Sequence, residues 1–248
     1  MAPFGSRPRD RSRSASRTAG PPRAARIAVV DLSAFRHGAG EAAAEGRRTA
    51  AQELSAAFSD TGFAIVVGTG VAARLVSELR EHAYGFFQQG QAEKAKVNEG
   101  SGEGYGLSPY CSMEENGAQL LGDFTKPNDI VESLTFRRLQ PEAVQGTLQR
   151  PAGLAEAVLA FNEELAALRR TLEAAGEIAF GLEEGALAEK CRGADESLRL
   201  AYYPELSRPP LEGQLRYGAH VDSFGVTVLS LDPSRPEGLQ VQVDGGWV

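Results

Sequence analysis

Two residues close to the end of the sequence, His220 and Asp222, have the types and the spacing to hold a metal ion. In an extended strand, residues i and i+2 project from one face roughly 6.5 to 7 Å apart along the chain, so both side chains can converge while Val221 points away. An imidazole nitrogen is a borderline donor and a carboxylate oxygen a hard one. With one further histidine they make the facial triad of a non-haem Fe(II) centre, which leaves three positions open. A chain of 248 residues with nine Asp and three His would contain an HxD by accident about one time in ten. The plain alternative for His220 is a strand histidine hydrogen-bonded to a neighbouring carboxylate. His37, in the surface-type loop FRHGAG, and His82, on a helix, are poor candidates for a third donor.

The elements that must position this pair follow from periodicity. A short strand is expected at Ile27–Val30, a helix over 41–58 stopped by Gly62, and a buried strand at Phe63–Val67. Thr69 can cap a second helix on which Val71, Leu75, Leu79, Ala83 and Phe86 or Phe87 share a face. Residues 98–128 are glycine-rich and polar and read as a long irregular loop. A long amphipathic helix follows over about 154–178, with Leu154, Val158, Phe161, Leu165, Leu168 and Leu172 as its apolar stripe. From Ser197 the period becomes two, which predicts strands at about 198–203, 215–222, 226–231 and 239–243. Asp244, Gly245 and Gly246 then form a turn into Trp247 and Val248, the beginning of a hairpin.

Composition bounds the whole. With 42% hydrophobic and 24% charged residues the chain can bury one substantial core. No apolar run reaches the roughly 18 to 20 residues of a membrane span, and no secretory signal is evident, so a cytoplasmic location is expected. Cys111 and Cys191 lack metal or disulfide spacing and are expected to be reduced, part-buried thiols. Residues 1–26 carry seven Arg and one acid, Asp10, a local +6 that leaves −13 on the remainder for a net −7. That basic segment is expected to be a disordered tail, with an organelle transit peptide or an RS-type interaction tail as alternatives. The acidic body argues against general nucleic-acid binding.

Residues 198–248 resemble the isopenicillin N synthase-like branch of the 2-oxoglutarate/Fe(II) dioxygenases. The resemblance rests on Tyr203-Pro204, Gly218 to Asp222, Thr227 to Leu229, Gly238 to Val241 and Gly246 to Val248, in that order with similar gaps. Looser likeness runs through IAVVDLS, DTGFAIVVGTGV and DIVESLTF around Glu132, so that it covers about residues 27–248. The resemblance implies an α+β fold, a double-stranded β-helix (jelly-roll) core flanked by N-terminal helices and truncated before its last core strands. It implies a helix-rich region over 27–180 and an incomplete jelly-roll domain over 181–248. It further implies Fe(II) held by His220 and Asp222, 2-oxoglutarate as cosubstrate with a carboxylate on the Tyr203 phenol, and O₂ with a small organic substrate as the reactants. Tyr203 could equally be a packed strand aromatic, and Phe224 and Val226 either line the cavity or belong to plain core.

The sequence departs from the family in three places. Many relatives have Asn where Ala201 stands. The second histidine and the RxS arginine would lie beyond Val248, and Arg235, in DPSRPEG, comes far too early to be that arginine and reads as a solvated turn charge. The chain as written is therefore expected to hold iron weakly, to be inactive and to expose sheet edges prone to aggregation, unless a partner or a further C-terminal segment completes it. A non-catalytic protein keeping the dioxygenase scaffold is the main competing expectation, and a cupin-type module a lesser one.

Overall fold

The computed structural model describes residues 27–37, 39–98, 107–112, 125–137, 141, 144–145, 148, 151–193, 197–222, 225–232, 238–243 and 246–248. The tail 1–26, Phe224 and Arg235 lie outside the described residues, and with them the expectations placed on each.

The fold opens with a β-α-β unit. Strand β1 (Ala28–Asp31) and strand β2 (Ala64–Val67) pair in parallel, Val30 opposite Val66, and helix α1 (Glu41–Asp60) makes the crossover that parallel pairing requires. Alternation sorts their side chains. Val30 and Leu32 are fully buried against Ala50, Ala51 and Leu54 of α1, whereas Val29 and Ile65 face outward. After β2 the chain turns at Gly68 (φ 65°), and a Cβ there would sit 2.2 Å from Ser33 Oγ, so no larger residue fits. Thr69 accepts from the Val71 amide at 3.3 Å and so shapes the approach to helix α2 (Ala73–Phe87), whose N-cap position is occupied by Ala72. The residue expected to cap α2 thus shapes a turn three positions before its N-cap.

Helix α2, the short helix α3 (Gln91–Ala95) and the 27-residue helix α4 (Leu154–Phe180) form the helical layer. Four residues of the α4 stripe, Leu154, Val158, Phe161 and Leu168, are buried, and Leu165 and Leu172 pack partly buried against the same clusters. Leu154, Val158 and Phe161 pack with Leu79, Phe86 and Phe87 of α2, and Leu168 with β1 and α1, so that α4 bridges the two apolar clusters. It ends where Gly181 takes a left-handed φ of 63° and the Leu182 amide returns to the Glu177 carbonyl at 2.9 Å. Helix α5 (Ala186–Lys190) follows.

A three-stranded antiparallel sheet packs under α2 and α4. Strand β4 (Glu132–Arg137) is central, flanked by β3 (Leu107–Ser112) and β5 (Ser197–Tyr202), with Leu134 opposite Leu200. Strand β3 corrects the expectation of an irregular loop over 98–128. The stretch around it is polar and glycine-rich, but the edge of β4 supplies hydrogen-bond partners that override local preference.

The chain beyond β5 brings the larger correction. No ladder forms over 215–222 or 226–231, where strands were expected. The polar backbone of the first stretch instead meets residues 128–130 at single points, and Leu231 accepts from Arg80 Nη2 at 2.9 Å. Alternation marks a segment able to be a strand, but only a neighbouring edge makes it one. The expected strand 239–243 is reduced to β6 (Gln242–Val243), which forms the anticipated hairpin with β7 (Gly246–Trp247). Cys111 and Cys191 are unbridged thiols, each partly buried.

Candidate active site

The candidate site is assembled on the segment that follows β5, and residues 128–130 hold it in place. Gln214 donates from Nε2 to the Asn128 carbonyl at 2.8 Å, and the Ile130 amide donates to the Leu215 carbonyl at 2.9 Å. The Gly218 amide donates to Asp129 Oδ2 at 2.8 Å. Asp129 is 2% exposed, so its carboxylate is removed from water and must be hydrogen-bonded to be tolerated there.

His220 is held at both of its nitrogens' reach. Nδ1 lies 2.9 Å from the Gly218 carbonyl. A carbonyl only accepts, so Nδ1 carries the proton, and in the neutral ring Nε2 keeps its lone pair. The ring also meets the edge of Tyr217 at 4.8 Å between centroids. Tyr217 is positioned in turn by Arg199 of β5, whose guanidinium lies 5.1 Å from the ring centroid and donates to the phenol oxygen at 3.2 Å.

His220 Nε2 stands 3.3 Å from Asp222 Oδ1. A charge-assisted hydrogen bond would close to about 2.7–2.9 Å. Adjacent ligands of a six-coordinate first-row ion with bonds of about 2.1 Å are about 3 Å apart, so the two donors fit one such ion. Among the described residues no group of three His, Cys, Asp or Glu side chains gathers to hold a metal. His37 is exposed in its loop, and the His82 ring lies against the backbone of Gly153, where a Cβ would meet it at 2.5 Å.

Tyr203 follows β5 directly and is 46% exposed. The next residue, Pro204, accepts through its carbonyl from Arg216 Nη1, which ties the end of β5 to the segment carrying His220. Val226 is exposed and lines no core. Ala201 is exposed on β5 opposite Ser133.

Sequence reasoning missed Asp129, Gln214 and Tyr217. Asp129 sits within the quoted stretch DIVESLTF, and a lone acid next to the apolar pair Ile130-Val131 was its one available signal. Glu132 of the same stretch is the centre of a buried cluster. Its Oε2 accepts from Lys94 Nζ and from the Tyr110 hydroxyl, each at 2.5 Å. Lys94 Nζ also donates to the Phe87 carbonyl at 3.2 Å, and Asn98 pairs with the backbone of Tyr110. Burial pushes the Tyr110 phenol pKa up, and the hydrogen bond to Glu132 and its charge push it further. The cluster anchors the start of β4 only three residues beyond Asp129.

Lateral branching oxidoreductase 1 of Arabidopsis thaliana is 28% identical over 200 residues, 79% of this chain and 51% of its own length. Gibberellin 20 oxidase 2 of Oryza sativa subsp. indica is 30% identical over 227 residues, 88% of this chain and 54% of its own. The chain thus spans about half the length of the curated relatives it matches. Among solved structures, JOX2 in complex with 2OG, Fe and JA superposes with a TM-score of 0.66 at 23% identity, covering 90% of this chain and 60% of that one. A full-length Neurospora crassa protein in complex with alpha-KG and thymine gives 0.66 at 20% identity, covering 90% and 69%. These likenesses show a shared fold. Residues 27–153, half of the chain, match the family described as non-haem dioxygenase in morphine synthesis N-terminal, and with the mixed helical and sheet architecture they establish that the chain belongs to the non-haem dioxygenases.

Proposed function

We propose that this chain contributes the first part of an Fe(II)- and 2-oxoglutarate-dependent dioxygenase that hydroxylates or oxidises a small organic substrate with O₂, releasing succinate and CO₂. The observation that carries this is the 3.3 Å approach of His220 Nε2 and Asp222 Oδ1, with the imidazole proton committed to Gly218 on the opposite side of the ring. His220 and Asp222 would hold the iron, and the iron with its cosubstrate would supply the oxidising chemistry. Asp222 brings a negative charge to the ion, His220 presents a neutral nitrogen, and the Tyr203 phenol donates to a carboxylate of 2-oxoglutarate. Ala201 contributes no polar side chain to that contact.

The proposal extends to the finer architecture: a helix-rich region over 27–180, and over 181–248 part of a jelly-roll domain, located in the cytoplasm. Among the described residues no helix is long and apolar enough to cross a membrane. Relatives named as demethylases and oxidases support a small organic substrate. Anaerobic addition of Fe(II) and 2-oxoglutarate should give a weak visible charge-transfer band. Tyr203→Phe should raise the 2-oxoglutarate concentration needed for half of that band about ten-fold, the worth of a hydrogen bond to a charged group. Absence of any band, or an unchanged cosubstrate requirement in Tyr203→Phe, would count against the respective parts.

A further inference from the structure

We propose that Asp129 is a positioning residue for His220, acting through the backbone of Gly218. The buried Asp129 carboxylate takes the Gly218 amide at 2.8 Å, and the Gly218 carbonyl takes the His220 Nδ1 proton at 2.9 Å. One residue is therefore gripped on its N–H side and itself grips the imidazole on its C=O side. The flanking bonds, Gln214 to Asn128 and Ile130 to Leu215, set the segment's place along 128–130 but touch neither polar group of Gly218. Asp129 thereby orients Gly218 and, through its carbonyl, the Nδ1 side of the His220 ring. Outer groups of this kind orient metal-binding imidazoles and typically change metal affinity 10–100-fold when removed.

The role in the metal-free chain is independent of iron, whereas its use in holding iron rests on the function proposed above. The test uses the full chain labelled with ¹⁵N-histidine, free of metal, at about pH 8.5, where histidine is ordinarily neutral. Long-range ¹H–¹⁵N correlations report the tautomer, with the His220 signals identified by their loss in His220→Gln. The wild type should show the Nδ1–H form, and Asp129→Asn, which keeps an acceptor for the Gly218 amide, should retain it. Asp129→Ala should give a mixture with the Nε2–H form while the signals of His37 and His82 stay in place. Asp129→Leu, of similar volume but without an acceptor, serves if the alanine variant does not fold.

An unchanged His220 tautomer in the alanine or leucine variant overturns the proposal. Fast solvent exchange of the Gly218 amide in the wild type overturns it whatever the variants do. In a parallel anaerobic Co(II) titration, Asp129→Ala should weaken binding 10–100-fold. If His220→Gln leaves that binding unchanged, the iron site falls and the tautomer result still decides the role of Asp129. If His220→Gln abolishes binding and Asp129→Ala changes neither tautomer nor affinity, the iron site stands and this inference falls.

Discussion

At the scale of single residues, this chain relies on carboxylates that accept backbone amides. Asp129 does so beneath the candidate site, and Glu177 does so at the end of α4, where it accepts from Gly185 at 2.9 Å and Leu187 at 2.8 Å and so caps α5. The Gly185 hydrogen bond holds the Glu177 carboxyl below the ordinary carboxylate range, burial opposes it, and the Leu187 and Ala188 amides reinforce it. A carboxyl with a depressed folded-state pKa stabilises the fold above its unfolded value, and that contribution is lost as pH falls through the folded value. Glu177→Gln should therefore flatten the fall in melting temperature below about pH 4.3 and lower the melting temperature at neutral pH. A pH series of thermal melts followed by far-ultraviolet circular dichroism checks both. The HxD pair was legible in the sequence through its i, i+2 spacing together with the ordered motifs around it. Asp129 was not, since the contact spans 89 positions and nothing local marks its partner.

At the scale of elements, the helices were legible and the late strands were not. The α4 stripe and the α2 face were set by periodicity that burial then used, so expected and observed elements agree within two residues at the end of α4. Strand β3 and the unpaired stretch 215–222 differ from expectation for one reason. Strand formation depends on an edge supplied from elsewhere, which β4 gives to β3 and nothing described gives to 215–222. The start of β4 is secured by the Lys94–Glu132–Tyr110 cluster, with Lys94 and Glu132 side chains 7% and 12% exposed. Removing one member leaves the other charge buried without compensation, so Glu132→Gln or Lys94→Ala should cost about 3–5 kcal/mol. Lys94→Met combined with Glu132→Leu should cost much less than the sum of the two single changes. Urea titrations at constant slope measure these losses.

At the scale of the molecule, helix α4 joins a cluster beneath the sheet to a cluster beneath β1 and β2, while the segment from Leu206 to Val248 leaves much apolar surface outside, including Leu211, Val221, Leu229 and Trp247. The candidate site lies on that segment, fastened to the sheet by a few hydrogen bonds rather than by a ladder. Two donors on so lightly held a segment must still be able to choose a metal. Anaerobic equilibrium dialysis of the whole chain against Fe(II), with bound iron counted per chain, answers this directly. We expect the wild type to bind up to one iron with modest affinity, and His220→Ala and Asp222→Ala each to lose that site while keeping the melting temperature of the wild type. Equal iron binding by the wild type and both variants, or no binding by the wild type, would contradict the assignment of His220 and Asp222 as iron ligands.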